Sequence, residues 1–179
     1  MFNRYKNIFL LVFSINFIFS DSQEALSRTP NLKIKLIDGS NISLNELYKD
    51  GPLLIDFWAT WCVPCKKLMK YLNQYHQEYR NEGFKVLMIN TDSPRSIGKV
   101  KSYIKSQNYK FLVGVDPNKV ISKKLNSIVM PTTILINQSG DIVWRHQGYI
   151  KGEEIQIKKQ IESLLNKKYG EQIDRSINE

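Results

Sequence analysis

The chain has 179 residues, 42% of them hydrophobic, and a formal net charge of +9 at neutral pH. That length suits one domain with short appendages and buries a sizeable core without covalent staples, and only two cysteines rule out a scaffold built on several disulfides. A basic balance favours acidic partners or an anionic surface, but with no arginine-rich segment or recognised motif the scattered lysines read as a solvated face, and nucleic-acid binding is not expected.

In chain order, a basic start with Arg4 and Lys6 leads into an apolar run over residues 8–20, after which the chain turns polar at Asp21. A basic segment followed by a short apolar one describes an export signal. The run is too short for the roughly 20 apolar residues that span a bilayer. Cleavage is expected after Ser22, with an uncleaved membrane anchor as the alternative. Either way the domain is expected outside the cytoplasm, in a periplasm or on the outer face of the membrane. No cysteine follows the run, so lipid attachment through one is not expected.

Residues 23–31 read as a linker, residues 32–166 as the domain and residues 167–179 as a polar, frayed tail. Leu32, Ile34 and Leu36 alternate with lysines before Asp38-Gly39, and Ile42 and Leu44 alternate after it, which predicts a hairpin. Ser43 with Glu46 three residues on predicts a capped short helix over 43–48. Residues 52–58 form a nearly continuous apolar run, as in a strand buried on both faces. From residue 63 to 80, apolar or aromatic side chains recur with helical spacing, and 85–90 is a second buried strand. Strand, helix and strand imply a parallel crossover unit.

A second helix is expected from Pro94 to about residue 106 with Ile97, Val100, Tyr103 and Ile104 inward. A short strand over 111–115 and a short helix ending near Leu125 follow. Residues 132–136 and 142–146 read as antiparallel strands, and 151–166 as the last helix, with Ile155, Ile157, Ile161, Leu164 and Leu165 as its apolar residues. The fold class is therefore α/β, a central mixed sheet flanked by helices, with an N-terminal hairpin extension.

The two cysteines stand three positions apart in Trp61-Cys62-Val63-Pro64-Cys65, directly after the first buried strand. Within the chain they can pair only with each other, so they are a redox pair or part of a metal site. His76 and His146 match no zinc-ligand spacing and read as surface residues, and no metal or other cofactor is expected. Cys62 falls at the start of a helix, where unpaired amides and the dipole favour a thiolate, which makes it the expected nucleophile. Cys65, one turn further in and shielded, is the expected resolving thiol. Val63 and Pro64 set the local field and tune the redox poise, and Pro64 suits the first helical turn. Trp61 is expected to shield the nucleophile and meet the substrate, and Trp58 reads as core. Asp56 interrupts an apolar strand. Burial there raises a carboxyl pKa, which makes Asp56 a candidate proton acceptor for Cys65; at a solvated edge it would be merely structural.

The block from Asp56 to Lys66 resembles the active site of the thioredoxin superfamily, and more closely the TlpA/ResA-like branch of exported thiol-disulfide oxidoreductases. Met130-Pro131-Thr132-Thr133 resembles its second signature. The similarity covers roughly residues 32–165, and the hairpin and the segment 94–115 also fit this branch. It implies a cis bond before Pro131 and a Met130 backbone open to a substrate chain. It also implies protein disulfides as substrates, a membrane electron donor, a monomer, and work in cytochrome c maturation or redox homeostasis as a reductase. A thiol oxidase of the same fold, or a binding module without turnover, is the alternative. Two positions depart from the pattern. Leu68 stands where a glutamate is frequent, and Met88 where thioredoxin has a lysine. A peroxiredoxin would need threonine at Ala59.

Overall fold

A computed structural model describes the backbone over residues 27–177 and the side chains over residues 27–166. The predicted export segment and its cleavage point lie outside the described residues. β1 (Lys33–Lys35) pairs antiparallel with β2 (Asn41–Ser43), and α1 (Leu44–Tyr48) follows at once. The Asp38 carboxylate accepts the Ser40 N–H at 2.9 Å to close the connecting loop. The expected capping box of Ser43 and Glu46 forms, with Glu46 accepting the Ser43 N–H at 3.0 Å, and the Ser43 hydroxyl also donates to Asn31.

The main sheet has the order β5-β4-β3-β6-β7, built from β3 (Leu53–Trp58), β4 (Lys85–Asn90), β5 (Leu112–Val115), β6 (Thr132–Ile136) and β7 (Ile142–Gln147). β3, β4 and β5 are parallel, whereas β6 and β7 run antiparallel to their neighbours. The helices are α2 (Val63–Tyr79), α3 (Ile97–Gln107), α4 (Val120–Lys124) and α5 (Glu153–Ile177). Gly83, at φ 85°, ends the turn after α2 in a conformation that favours glycine.

Strand alternation divides the core. Leu54 and Trp58 of β3 pack with Leu68, Met69 and Leu72 of α2 and with Ile157 and Ile161 of α5. Leu53, Ile55 and Phe57 pack on the other face with Ile34, Leu44 and Leu47 from the hairpin and α1. All six residues of β3 are buried, so its continuous apolar run is what a central strand covered on both sides requires.

The hairpin joins the sheet through the Ile37 N–H to the Val113 carbonyl at 2.9 Å and a bridge between Leu36 and Gly114. Gly114 makes that approach feasible, because a Cβ there would lie 2.7 Å from Cγ2 of Ile34 and 2.8 Å from Cδ1 of Ile89. Gly114→Val is therefore expected to lower stability by about 1–3 kcal/mol through overpacking, read as a fall in the urea midpoint.

Four expectations change. The supposed linker is docked from Ser27 onward, with Thr29 bonded to Gly140 and the Ser27 carbonyl accepting from Ile142. α5 continues to Ile177, past the predicted end at 166 and through the supposed frayed tail. Ile97, expected inward, is exposed, because it stands at the first turn of α3, where the chain enters from solvent. His76 and His146 are half-buried rather than surface residues. Burial lowers the His76 pKa, and His146 Nε2 lies 3.2 Å from a Glu153 carboxylate oxygen.

Candidate active site

β3 ends at Trp58, and a short turn carries the chain into α2, with the Cys62 N–H bonded to the Ala59 carbonyl at 3.0 Å. Cys62 is the residue that caps α2, and its Sγ accepts the Cys65 N–H at 3.3 Å. A sulfur in that place faces the positive end of the helix, where a thiolate is favoured. Pro64 lies within the first turn, where the missing N–H has no helical partner to lose. Cys62 and Cys65 are joined in a disulfide with Cα atoms 5.4 Å apart.

Both sulfurs are covered. Cys65 is fully buried, with its Sγ 3.9 Å from the Phe57 carbonyl oxygen, and Cys62 is only 3% exposed. In the disulfide form Cys62 belongs to the apolar cluster that also holds Ala59 and Leu68. Trp61 does not lie over it as a closed shield; its ring is 69% exposed.

Asp56 is completely buried on the face of β3 shared by Leu54 and Trp58. Its Oδ2 accepts the Thr133 hydroxyl at 2.7 Å, and its Oδ1 has no hydrogen-bond partner among the described residues. Desolvation pushes its pKa up to about 8, and the Thr133 bond offsets only part of that rise. Across the parallel ladder the partner of Asp56 is Met88, so this neighbour supplies no cation. Leu68, likewise, is fully buried in the apolar cluster.

β6 returns past the end of β3, pairing Thr132 with Phe57, which brings the loop before β6 beside the cysteine turn. The Met130-Pro131 peptide bond is cis. Pro131 is buried, its carbonyl accepts the Gly148 N–H at 2.8 Å, and Thr91 holds the Met130 sulfur at 3.3 Å. Ile128 and Val129 on this loop, with Trp61 and Val63 on the other, leave exposed apolar side chains at this end of the sheet.

The predicted site residues therefore gather at the C-terminal ends of the parallel strands. Residues 90–92 and Thr60 escape a reading based on motifs. Asn90, Thr91 and Asp92 leave β4 at the same end, where sites collect in open α/β sheets. A polar triplet closing an apolar strand is the signal that points to them.

The sequence profile of the Redoxin family matches residues 24–163. The chain belongs to the Redoxin family. The thiol-disulfide oxidoreductase ResA of Bacillus thuringiensis subsp. konkukian is 31% identical over 147 residues, 82% of this chain and 80% of that protein. A solved Chlorobium tepidum structure described as a thiol:disulfide interchange protein DsbE superposes with a TM-score of 0.72 at 25% identity, over 78% of this chain and 96% of that one. StoA of Bacillus subtilis superposes at 0.61 with 25% identity, over 73% of this chain and 95% of that one. This Redoxin-family member is thus a TlpA/ResA-like thiol-disulfide oxidoreductase of the thioredoxin superfamily.

Proposed function

We propose that this Redoxin-family oxidoreductase reduces protein disulfides outside the cytoplasm, with Cys62 as nucleophile and Cys65 as resolving thiol. The observation that carries the reading is the placement of the two sulfurs. Cys62 caps α2 beside the exposed Trp61 and Val63, while Cys65 is sealed behind it near the buried Asp56 strand. The Cys62 thiolate attacks a substrate disulfide, forms a mixed disulfide and releases one substrate thiolate. Cys65, deprotonated with Asp56 as acceptor, then attacks the Cys62 sulfur and releases the second. The pair ends oxidised by two electrons, and a membrane-bound thiol donor restores it.

The reducing direction is supported by how little stabilises the thiolate. Oxidising members of such systems hold the reduced form strongly. Here Val63 and Pro64 bring no charge, the Cys65 amide makes the one hydrogen bond to the Cys62 sulfur among the described residues, and Lys66 is directed over the Tyr103 ring at 5.8 Å. Met130, Pro131 and the apolar residues around them supply an edge on which an extended polypeptide substrate can lie. The basic and apolar start of the chain supports export, and cytochrome c maturation is the client setting that the resemblance to this branch offers.

Equilibration of the purified protein with glutathione or dithiothreitol tests the direction. The expected reduction potential lies nearer about −270 mV, as in a reductase, than about −120 mV, as in an oxidase. A value close to the second reverses the assignment.

A further inference from the structure

The turn that presents Cys62 is held from the side by a buried carboxylate that belongs to neither signature. Asp92 is 8% exposed and stands just after β4. Its Oδ2 accepts the Thr60 N–H at 2.7 Å and its Oδ1 accepts the Thr60 hydroxyl at 3.1 Å. Asn90 steadies it, since its side-chain amide donates to Asp92 Oδ2 at 2.9 Å and its Oδ1 accepts the Asp92 N–H at 3.2 Å. One residue earlier, Thr91 bonds the Trp58 carbonyl through its N–H at 3.0 Å and Met130 through its hydroxyl. Residues 90–92 thus grip both loops of the site, and Asp92 grips the one that leads into Cys62.

Packing does not explain this arrangement. Asn90 and Asp92 are among the residues lining a cavity of about 360 Å³, together with Leu36, Pro94 and Ile97. With open space on that side, the direction of the Asp92 side chain depends on its hydrogen bonds. Asp92 makes no ion pair among the described residues, although Lys35 and Lys101 line the same cavity. A negative charge there opposes a thiolate. Its retention is understandable if its value is geometric: two acceptor oxygens take a backbone N–H and a hydroxyl from the same residue at once.

We infer that Asp92 is a positioning residue for Cys62, fixing Thr60 so that the Cys62 sulfur stays against the Cys65 amide when the disulfide opens. The inference rests on the reading of Cys62 as nucleophile. Loosening Thr60 lets the cap drift and weakens the one amide contact that favours the thiolate.

Two substitutions separate geometry from charge. Thr60→Val keeps the Asp92 charge and the Thr60 backbone bond but removes the hydroxyl, at a half-buried position that tolerates the change. Asp92→Asn removes the charge and places an amide donor against Thr60 or Asn90. The readout is the rate of iodoacetamide alkylation of reduced Cys62 in the full chain against pH, located by peptide mass, with the melting temperature measured alongside. Both variants are expected to raise the titration midpoint of Cys62, leaving roughly threefold less thiolate near pH 7 for a shift of about half a unit. A lower midpoint in Asp92→Asn with no change in Thr60→Val would make Asp92 a mere charge and overturn the inference. So would lowered melting temperatures with unmoved titrations, the signature of a purely structural role. A wild-type Cys62 that titrates like a free thiol, near 8.5, overturns the nucleophile assignment itself, an outcome distinguishable from the other two.

Discussion

Cys65→Ser leaves the protein covalently attached to its substrates through Cys62. With the resolving sulfur replaced, the mixed disulfide has no internal partner to attack it, and turnover on a model protein disulfide falls by at least about a hundredfold, the scale on which losing an activated group acts. Cys62→Ser loses the same activity without forming the adduct, because the sulfur left behind is fully buried. Non-reducing electrophoresis and mass spectrometry of the trapped species check both outcomes. A binding module without turnover behaves differently: its partners remain bound, without a covalent link, when both cysteines are replaced. Trapping by Cys62→Ser and none by Cys65→Ser would reverse the assignment of Cys62 and Cys65.

Asp56→Asn has an opposite pair of effects on stability and rate. Asp56 holds its proton up to about 8 in the folded chain, whereas an unfolded chain releases it near 3.9. Between those values the folded state binds more protons than the unfolded one, so stability is full below about pH 4 and is lost as pH rises toward 8. Asparagine removes that slope, and its side-chain oxygen can still accept the Thr133 hydroxyl. The variant is expected to be more stable than the wild type at pH 7, by roughly 4 kcal/mol at most on the linkage arithmetic, and to show no gain near pH 4. Urea unfolding at the two pH values measures this. The same change removes the proton acceptor for Cys65, an acceptor ionised mainly above about pH 8, so release of the mixed disulfide should slow most there, by about a hundredfold. A wild type equally stable from pH 4 to 8 would show that Asp56 carries no excess proton, and an unchanged release rate would remove it from the reaction.

The legible parts of this molecule are those where one periodicity had no competitor. The six buried residues of β3 and the spacing of Cys65, Leu68, Leu72, Tyr75 and Tyr79 on α2 could be read directly, because a central strand and a one-sided helix each leave a distinct pattern. The pairing of Asp56 with Met88 could be expected only by alignment to a motif, and the register places them opposite each other. Ile97 misled because helical period says which residues share a face but not whether a neighbour covers the first turn. The docking of residues 27–29 was hidden for a related reason: its backbone bonds to Gly140 and Ile142, and the Arg28 and Thr29 side-chain bonds to the Ser139 and Gly140 carbonyls, reach partners more than a hundred residues away. Thr60 and Asp92 stayed invisible as a pair because the contact joins two loops that only the parallel β3–β4 register brings together.

That docking also sets a direction. Thr29 and Ser27 are fastened to the turn between β6 and β7, while Pro131 and the cysteine pair stand at the other end of β6. Five residues of strand, at about 3.3 Å each, separate the two poles by roughly 17 Å. Ser27, the first described residue, therefore stands at the pole opposite the sulfurs. A surface that held the domain by that pole would leave the cysteine pair facing away from it, presented to partners that arrive from the far side.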